Sequence, residues 1–563
     1  MEKRRNARNA VHTRARRCDV DNESERFASM PFALFPFRVG GEAMSHDDPW
    51  NLLTAPLIRI HTDTGMTRAS LPQVLAGLGE DRIEDFPGLQ RHQRDPWHLF
   101  LTQLATMALD RQGLRDPCQN EAFWRRALLE LSHGEASAWR LVERNLESPA
   151  FLQTPWPKSR GAPSAQLFSS DALDALQTAK NHELKSARND GMEVDLWLYA
   201  LMSLQTTSGY SGPGNHGIAR MNSGFGSRII LELVRNERWS IRFCDAVRRL
   251  FDHRQVILQG PNRWGYQRGG KALLWLDPWD GTNSRPLAGL DPSFIEICRI
   301  VRLFHGENGR LVAAKAPTKR PLLDAKAMGG VVGDPWTPVR IDQAPPKALT
   351  LNENGFTAEW QRRLLFADGV ELSPLQSPIP DWSESCLLTA SVIVRGQGRT
   401  DGLHFLRIPI PAKARSWIFG NKRASLNDRT KAAIQAAGEV ERSALKPAVL
   451  AWLQGAPEQL SFDGPTVHWW KKVQGGYTRA WHVRLFPWLW KTAERSEQEA
   501  IHLWQGMIAE DARRSFRIGI ETLPSPSAQR WKAYVTAECI LEGAMRNRMR
   551  LIHKSESREG THG

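Results

Sequence analysis

The sequence predicts an α+β protein: a large mixed α/β region followed by a four-helix bundle. Three observations carry that expectation. Amphipathic runs with helical spacing precede residue 150. Short β-like runs among many Pro, Gly and Trp fill roughly residues 255–415. After about residue 420, Pro and Gly thin out, and four long amphipathic blocks follow one another with short connections.

In chain order, residues 1–45 stand apart. MEKRRNARNAVHTRARR is basic, poor in apolar residues and without periodicity. It reads as a disordered extension, an upstream start ahead of Met44, or a nucleic-acid arm. From Asn51, NLLTAPLIRI reads as a first strand. Pro96–Asp110, Glu121–Ser132 and Ser137–Glu147 read as amphipathic helices, the first with Pro near its start. The apolar run Leu196–Leu204 reads as a further helix, and Ser227–Phe251 mixes strand-like and helical patterns. FIEICRIVRLF and LTASVIVRG are the clearest strands of the middle. The four terminal blocks are Leu426–Gln454, Thr466–Glu494, Glu497–Ile520 and Ser527–His553. Gly475, Gly476 and Pro487 predict a break in the second. The expected division is 1–45 as extension, 46–420 as mixed α/β domain and 421–563 as bundle.

Composition narrows the function classes. The 563 residues carry 75 Lys and Arg against 61 Asp and Glu, a net charge of +14, which favours nucleic acid or an acidic partner. The six cysteines, at 18, 118, 244, 298, 386 and 539, form no CxxC pair. A disulfide framework or structural zinc site is therefore not expected, and a reducing cytoplasm fits. No long apolar run suggests a membrane span.

The most informative stretch is Gly209–Arg228, GYSGPGNHGIARMNSGFGSR. It joins six glycines to Pro213, two Asn and two Arg directly after an apolar run. Glycine serves where backbone needs positive φ or where another chain comes close. With Asn215 and Arg220 interleaved, the approaching chain reads as a phosphate backbone or a base edge. Within this stretch, Gly212–Gly217 matches G-x-G-x-x-G, but a helix precedes it where a dinucleotide turn needs a strand. Gly265–Lys271 has P-loop spacing, yet Ala272 stands where Mg²⁺ needs Ser or Thr, and a strand follows. His46-Asp47 and His182-Glu183 lack partner ligands. No catalytic set, metal site or cofactor is expected.

Two further stretches are open to two readings. Lys180–Arg188, KNHELKSAR, is either a solvated loop or a loop with Lys and Arg for phosphates and Asn and His for base edges. Arg395–Gly402, RGQGRTDG, is either an ordinary hairpin tip or a tip pressed into a groove.

Several segments taken together carry a resemblance. They are NLLTAPLIRI, RHQRDPWHLFLTQLATMAL, FLQTPWP, AKNHELKSARN, the Gly209 loop, LDPSFIEICRIVRL, GDPWTPV and VRGQGRTDGLHFLRIPIP. Their order and content resemble the CasA large subunits of the type I-E CRISPR surveillance complex, Cascade. The resemblance covers roughly residues 50–415, and the helical C-terminus by texture. It implies a non-enzymatic subunit that reads the short protospacer-adjacent motif in duplex DNA, starts strand separation and helps recruit a helicase–nuclease. The implied partners are other Cascade subunits, guide RNA and double-stranded target DNA. Guide pairing then reads sequence while protein reads the short motif.

Carried over by position, Lys180–Arg188 corresponds to the loop that meets the motif. Asn181 and His182 fall where bases are met, and Lys180 and Lys185 on phosphate. Gly209, Gly212, Gly214 and Asn215 correspond to a glycine loop at the minor groove, interrupted here by Pro213, and Arg220 joins this contact set. Arg395, Gly396, Gln397, Gly398 and Arg399 correspond to a wedge, with Gln397 inserted. The family's lysine-bearing hairpin has only Arg285 and Lys315 as candidates. Lys422, Arg423, Arg546, Arg548 and Arg550 would add bundle contacts to DNA. Residues 1–45 exceed the family pattern, and the cysteine cluster of some relatives is missing. The rival expectations are a nucleotide- or metal-dependent nucleic-acid enzyme and a basic scaffold without motif specificity.

Overall fold

The structure, a computed structural model, describes residues 48–563 except 177–192, 223, 225, 308, 378–381, 397–398, 525–526 and 560–563; at 396, 399–401 and 547–559 it describes backbone alone. The expected extension 1–45 and the His46-Asp47 pair therefore lie outside the described residues, as does His182-Glu183.

The chain opens with a hairpin, β1 (Ile58–Thr62) and β2 (Gly65–Ala69), paired antiparallel. The expected strand from Asn51 thus starts later, because the turn before Pro56 hydrogen-bonds locally, with Ala55 N donating to Asn51 O at 2.7 Å. Three helices follow: α1 (Leu71–Gly79), α2 (Arg94–Arg111) and α3 (Glu121–Leu131). Ser70 caps α1 and Asn120 caps α3, each accepting from a backbone N–H in the first turn. α2 is buried nearly all round, which explains why its apolar residues form no single stripe.

The expected helix Ser137–Glu147 does not form. A 3₁₀ turn at Ala136–Trp139 is followed by irregular chain. The carbonyls a helix would use are taken elsewhere. The Arg302 guanidinium donates to Glu143 O at 3.2 Å, Asn145 O at 2.6 Å and Ser148 O at 3.0 Å, and Gln153 Nε2 donates to Leu141 O at 2.9 Å. Tertiary contacts override the local pattern here.

Next come α4 (Val194–Thr207), β3 (Ile230–Val234) and α5 (Trp239–Gln259), the last two resolving the mixed Ser227–Phe251 signal. β4 (Lys271–Leu273) runs parallel to β5 (Leu290–Ile295). β6 (Ile300–His305) and β7 (Leu311–Ala316) form a hairpin. After α6 (Ala358–Phe366), two long strands, β8 (Cys386–Gly396) and β9 (Arg399–Ile410), make an antiparallel hairpin. β3 joins the outer side of β8, giving the order β9-β8-β3.

Four long helical blocks close the chain. α7 (Arg423–Val440) runs through a π turn at Glu441–Leu445 into α8 (Lys446–Gln454), which has Pro447 in its first turn. Pro447 has no N–H for the ladder, and the wider π turn accommodates it. α9 (Gly464–Thr492), α10 (Glu497–Thr522) and α11 (Arg530–Glu559) follow, with capping boxes at Asp463 and Ser496. The expected break in the second block is absent: α9 is continuous through Gly475, Gly476 and Pro487. Its buried Trp470, Tyr477, Trp481, Leu485 and Trp488 recur at helical spacing, and their packing outweighs the propensity cost.

Two hydrophobic clusters hold the fold. One gathers α1–α5 and β4–β7 around Trp97, Trp139, Trp197 and Trp275. The other joins the β9-β8-β3 sheet to the C-terminal helices around Trp470, Trp481, Trp488 and Trp504, and so continues across residue 420. β3 faces both ways: Leu231 and Leu233 enter the second cluster, while Ile230 packs with Leu99 and Trp336. Beside Ile230, Glu232 is buried with His98 of α2 at 3.2 Å and Arg242 of α5 at 2.9 Å.

Candidate nucleic-acid interface

Segments from distant parts of the sequence meet at the end of α4. Ser208 and Ser227 form an isolated bridge that closes the neck of the Gly209 loop, and Arg228 N donates to Thr207 O at 2.7 Å. Ser227 then joins that neck to the β8–β9 hairpin: its N donates to Ile393 O at 2.8 Å, and its Oγ accepts from Ile393 N at 2.6 Å. Two residues on, Arg395 Nη2 donates to Ala175 O at 2.6 Å. The hairpin is thereby tied to the chain just before residues 177–192. Lys180, Asn181, His182 and Lys185 lie outside the described residues, but both flanks of their segment are anchored. Before it, buried Asp174 accepts from Leu176 N at 2.8 Å and meets His92 Nε2 at 2.6 Å. After it, Glu193 pairs with Arg68 at 2.5 Å, and Asp195 takes a forked bond from Arg59 at 2.8 and 2.9 Å.

The loop's glycines divide by role. A Cβ on Gly209 would stand 2.5 Å from Gly226 O, and one on Gly217 would stand 2.6 Å from Gly209 C. At these positions the closely approaching chain is the protein's own. Gly212 (φ +113°) and Gly214 (φ +78°) hold positive φ at the tip. Gly212 faces open space, whereas Gly214 packs on Pro317, and Gly214 O accepts from Thr318 N at 3.0 Å. Ser211 N donates to Asn215 O at 3.0 Å, which folds the tip over itself. Asn215 is partly exposed, with a weak 3.4 Å contact to Pro213 O.

Side chains from α4 and from the bend between β5 and β6 hold this irregular backbone. Gln205 Oε1 accepts from Cys298 N at 3.0 Å and Arg299 N at 2.9 Å. Glu296 accepts from Ala219 N at 2.8 Å and from Arg220 at 2.7 Å. Arg299 donates to His216 O, to Gly209 O at 3.3 Å and to Ser211 Oγ at 3.1 Å. Nothing in the local sequence announces Arg299: FIEICRIVRLF reads as one strand, whereas the structure breaks it at 296–299 and places Arg299 in the bend between β5 and β6.

Arg220 needs correction as a surface contact. It is only 3% exposed, lies over the Phe294 ring at 3.9 Å, and donates to Glu296 and to Phe294 O. With both Nη groups bonded inside, it braces the loop from below. Arg285 is likewise occupied, donating to Pro278 O at 2.6 Å. Lys315 keeps much of its surface in solvent, yet the protein packed around it and the Arg299 charge lower its ammonium pKa. The cations that border the loop tip include three that sequence reading missed: exposed Lys319, Arg320 and Arg160. Arg160 donates to Pro317 O at 2.8 Å, beside the strand-end run PTKR that packs on Gly214. That run, two cations directly after a strand, is the signal that could have been read. Burial lowers the His216 imidazole pKa; a hydrogen bond with the Lys319 backbone opposes this, and the Arg299, Arg320 and Lys326 charges push it lower.

β8 and β9 pair through Gly396↔Arg399; Gln397 and Gly398, between them in the sequence, lie outside the described residues. The register shifts beside Arg395, leaving Asp401 unpaired as a bulge. Burial lowers the Arg395 guanidinium, and repulsion from Arg299 adds to it. The Gly396 and Arg399 backbones form the last rung; the Arg399 side chain is not described.

On the helices, Lys422 lies over Trp417 at 5.4 Å and Arg423 donates to Phe366 O at 2.9 Å, so both face protein. Arg546 is exposed, while the side chains of Arg548 and Arg550 lie outside the described residues. The P-loop-like run ends in strand β4, with Lys271 paired to Asp277 at 2.6 Å and Gly270 packed against Gly289 O. Among the described residues, no group of three His, Cys, Asp or Glu could hold a metal ion, and no helix is long and apolar enough to cross a membrane.

No protein-family model matches the chain, and no curated protein matches it by sequence. Solved structures do match. CasA of Thermus thermophilus aligns at 14% identity over 88% of this chain and 99% of its own, with a TM-score of 0.56. Cse1 of Thermobifida fusca gives 14% identity, 88% and 97% coverage and a TM-score of 0.56. The CRISPR-associated protein Cse1 of Acidimicrobium ferrooxidans gives 14%, 90%, 99% and 0.53. The chain therefore has the α+β fold of the CasA and Cse1 proteins over most of its length.

Proposed function

We propose that this chain is the large subunit of a type I-E CRISPR Cascade complex. In that role it recognises the protospacer-adjacent motif in double-stranded DNA, opens the duplex beside it, and helps recruit the helicase–nuclease that cuts. It is assigned no catalysis of its own. The observation that supports this reading is the tying of the Gly209 loop to the β8–β9 hairpin, and of the hairpin to the anchored start of residues 177–192. A CasA-like fold with cations beside that junction suits a phosphate backbone.

In this reading Gly212, Gly214 and Asn215 meet the minor groove, with Lys319, Arg320 and Arg160 on phosphate. Minor-groove reading separates mainly A·T from G·C, so a glycine tip and one Asn would accept several motifs. Asn181 and His182 would complete discrimination, with Lys180 and Lys185 on phosphate. Gln397, carried between Arg395 and Arg399, would enter the stack. Unstacking costs on the order of a few kcal/mol per step, offset by phosphate contacts.

The test is duplex binding by the chain assembled with its guide-bearing partners, across a library of flanking motifs at fixed salt. A preference for a few motifs, lost in the Asn181→Ala/His182→Ala double variant, supports the reading. Gln397→Ala should slow R-loop formation more than it weakens initial binding. Flat binding that depends on salt alone would reduce the chain to a basic scaffold.

A further inference from the structure

We propose that Arg299 is the positioning residue of the Gly209 loop, fixing its backbone and holding beneath it a positive charge that no carboxylate among the described residues pairs with and that an anionic ligand would meet. The proposal rests on the reading of this loop as a nucleic-acid surface.

Arg299 is buried, at 5% exposure. Its N–H groups meet Gly209 O, His216 O, Cys298 O and Ser211 Oγ, which are all neutral acceptors. Among the described residues no carboxylate pairs with it. Two arginines nearby at similar depth differ in this respect: Arg220 has Glu296 at 2.7 Å, and Arg228 has Asp334, whose Oδ2 lies 2.6 Å from its Nε. Burying a charge without a counter-charge is costly even when its donors are hydrogen-bonded. Arg302 and Arg249 also bracket carbonyls with no carboxylate paired among the described residues, so bracketing alone does not mark Arg299 as a charge that faces a ligand.

Position sets Arg299 apart. The Arg299 charge reaches three groups around the loop, His216, Lys315 and Arg395, and disfavours the protonated form of each. A phosphate above the loop would meet that same field with opposite sign, through protein that screens less than water. The fork geometry matters as much as the charge. Guanidinium is planar and can bridge both sides of the loop neck at Gly209 and His216, which a Lys ammonium cannot reproduce with the same rigidity.

The test compares wild type, Arg299→Met and Arg299→Lys. Arg299→Met should lose about tenfold or more in duplex affinity at low salt, the size of one charge-assisted contact. Its salt dependence should be shallower by about one charge. Arg299→Lys should keep the salt slope and lose motif discrimination. In the chain alone, the His216 imidazole followed by NMR should titrate at higher pH in Arg299→Met and stay in place in Arg299→Lys. Wild-type affinity and slope in Arg299→Met, or full discrimination in Arg299→Lys, would overturn the proposal. An unmoved His216 titration in Arg299→Met would overturn the charge role whatever the duplex does. If wild type itself shows no motif preference, the functional reading fails instead, and the His216 titration still decides Arg299.

Discussion

The C-terminal helices and the Gly209 loop hold their backbones by opposite means. In α9 the carbonyls are satisfied along the helix, save that of Val483, four residues before Pro487, and the side chains are free to bury one face, with Trp470, Tyr477, Trp481 and Trp488 inside. In the loop few carbonyls have a local partner, and buried side chains reach in from other elements. Arg299 does this for Gly209 and His216, and Arg302 for residues 143–148. Arg249 does it for Pro374 and Ser377. Burial pulls the guanidinium pKa of Arg249 and of Arg302 down to about 10, a measure of what these brackets cost. The difference teaches that the helices rest on many exchangeable apolar contacts, while the loops rest on a few guanidinium groups that cannot be exchanged.

The largest effect should come from the helices. Trp504 is fully buried, donates to Ala433 O at 2.8 Å and packs on Trp488 at 4.9 Å between ring centroids. Trp504→Ala should cost about 3–5 kcal/mol in denaturant unfolding, with the bundle opening first by hydrogen exchange. Loss of the whole fold at once would show that the two regions are not separable in this way.

Acid should act on the buried cluster of β3. Burial alone would raise the Glu232 carboxyl; Arg242, with His98 and Arg249 behind it, reverses this and holds it at about 2 against an ordinary 4.5. A depressed carboxyl stabilises the fold fully above its unfolded value and loses that contribution as pH falls through the folded one. Stability should therefore fall as pH drops from about 4.5 toward 2, and Glu232→Gln should flatten that limb while costing about 3 kcal/mol at neutral pH. Thermal unfolding across the pH range checks both, and an unchanged acid limb in Glu232→Gln would remove Glu232 as its source.

Glycines sharpen the comparison with the smallest effects, and with opposite signs. Gly209→Ala forces a Cβ to 2.5 Å from Gly226 O and should destabilise by about 1–3 kcal/mol. Gly475→Ala and Gly476→Ala meet nothing within 4 Å in the middle of α9, and each should stabilise by about 0.5–1 kcal/mol. Melting temperatures of the three variants decide this.

The same contrast explains what the sequence revealed. The terminal blocks were legible because burial at helical spacing is written locally, and only their continuity through Gly475 and Pro487 was missed, since the Trp packing that enforces it is tertiary. α3 was legible for the same reason, α2 from its long apolar run with Pro near the start, and β8 from its β-branched run, whereas FIEICRIVRLF, read as one strand, divides into the end of β5 and β6. Ser137–Glu147 reads as helix because its apolar spacing is helical, but Arg302, far along the chain, takes its carbonyls. At the candidate site the Gly209 run was conspicuous, yet its glycines at 209 and 217 answer to the loop's own neck. Arg220 looked available because residue type says nothing about depth. Arg299 gave no local sign at all, and Lys319 and Arg320 became relevant only through the contact of Thr318 with Gly214.

The closed neck has a consequence for engineering. Below it, the Ser208–Ser227 bridge and the bonds from Ser227 to Ile393 join α4 to the hairpin without involving the tip. Residues 212–215 stand clear of this junction and rest instead, through Gly214, on Pro317 and Thr318. A graft of another length or composition there would leave the hairpin's seat untouched, provided the Gly209 and His216 carbonyls still face Arg299. Under the proposed function, such a graft would change the loop's share of the contact with DNA without redesign of the scaffold that carries it.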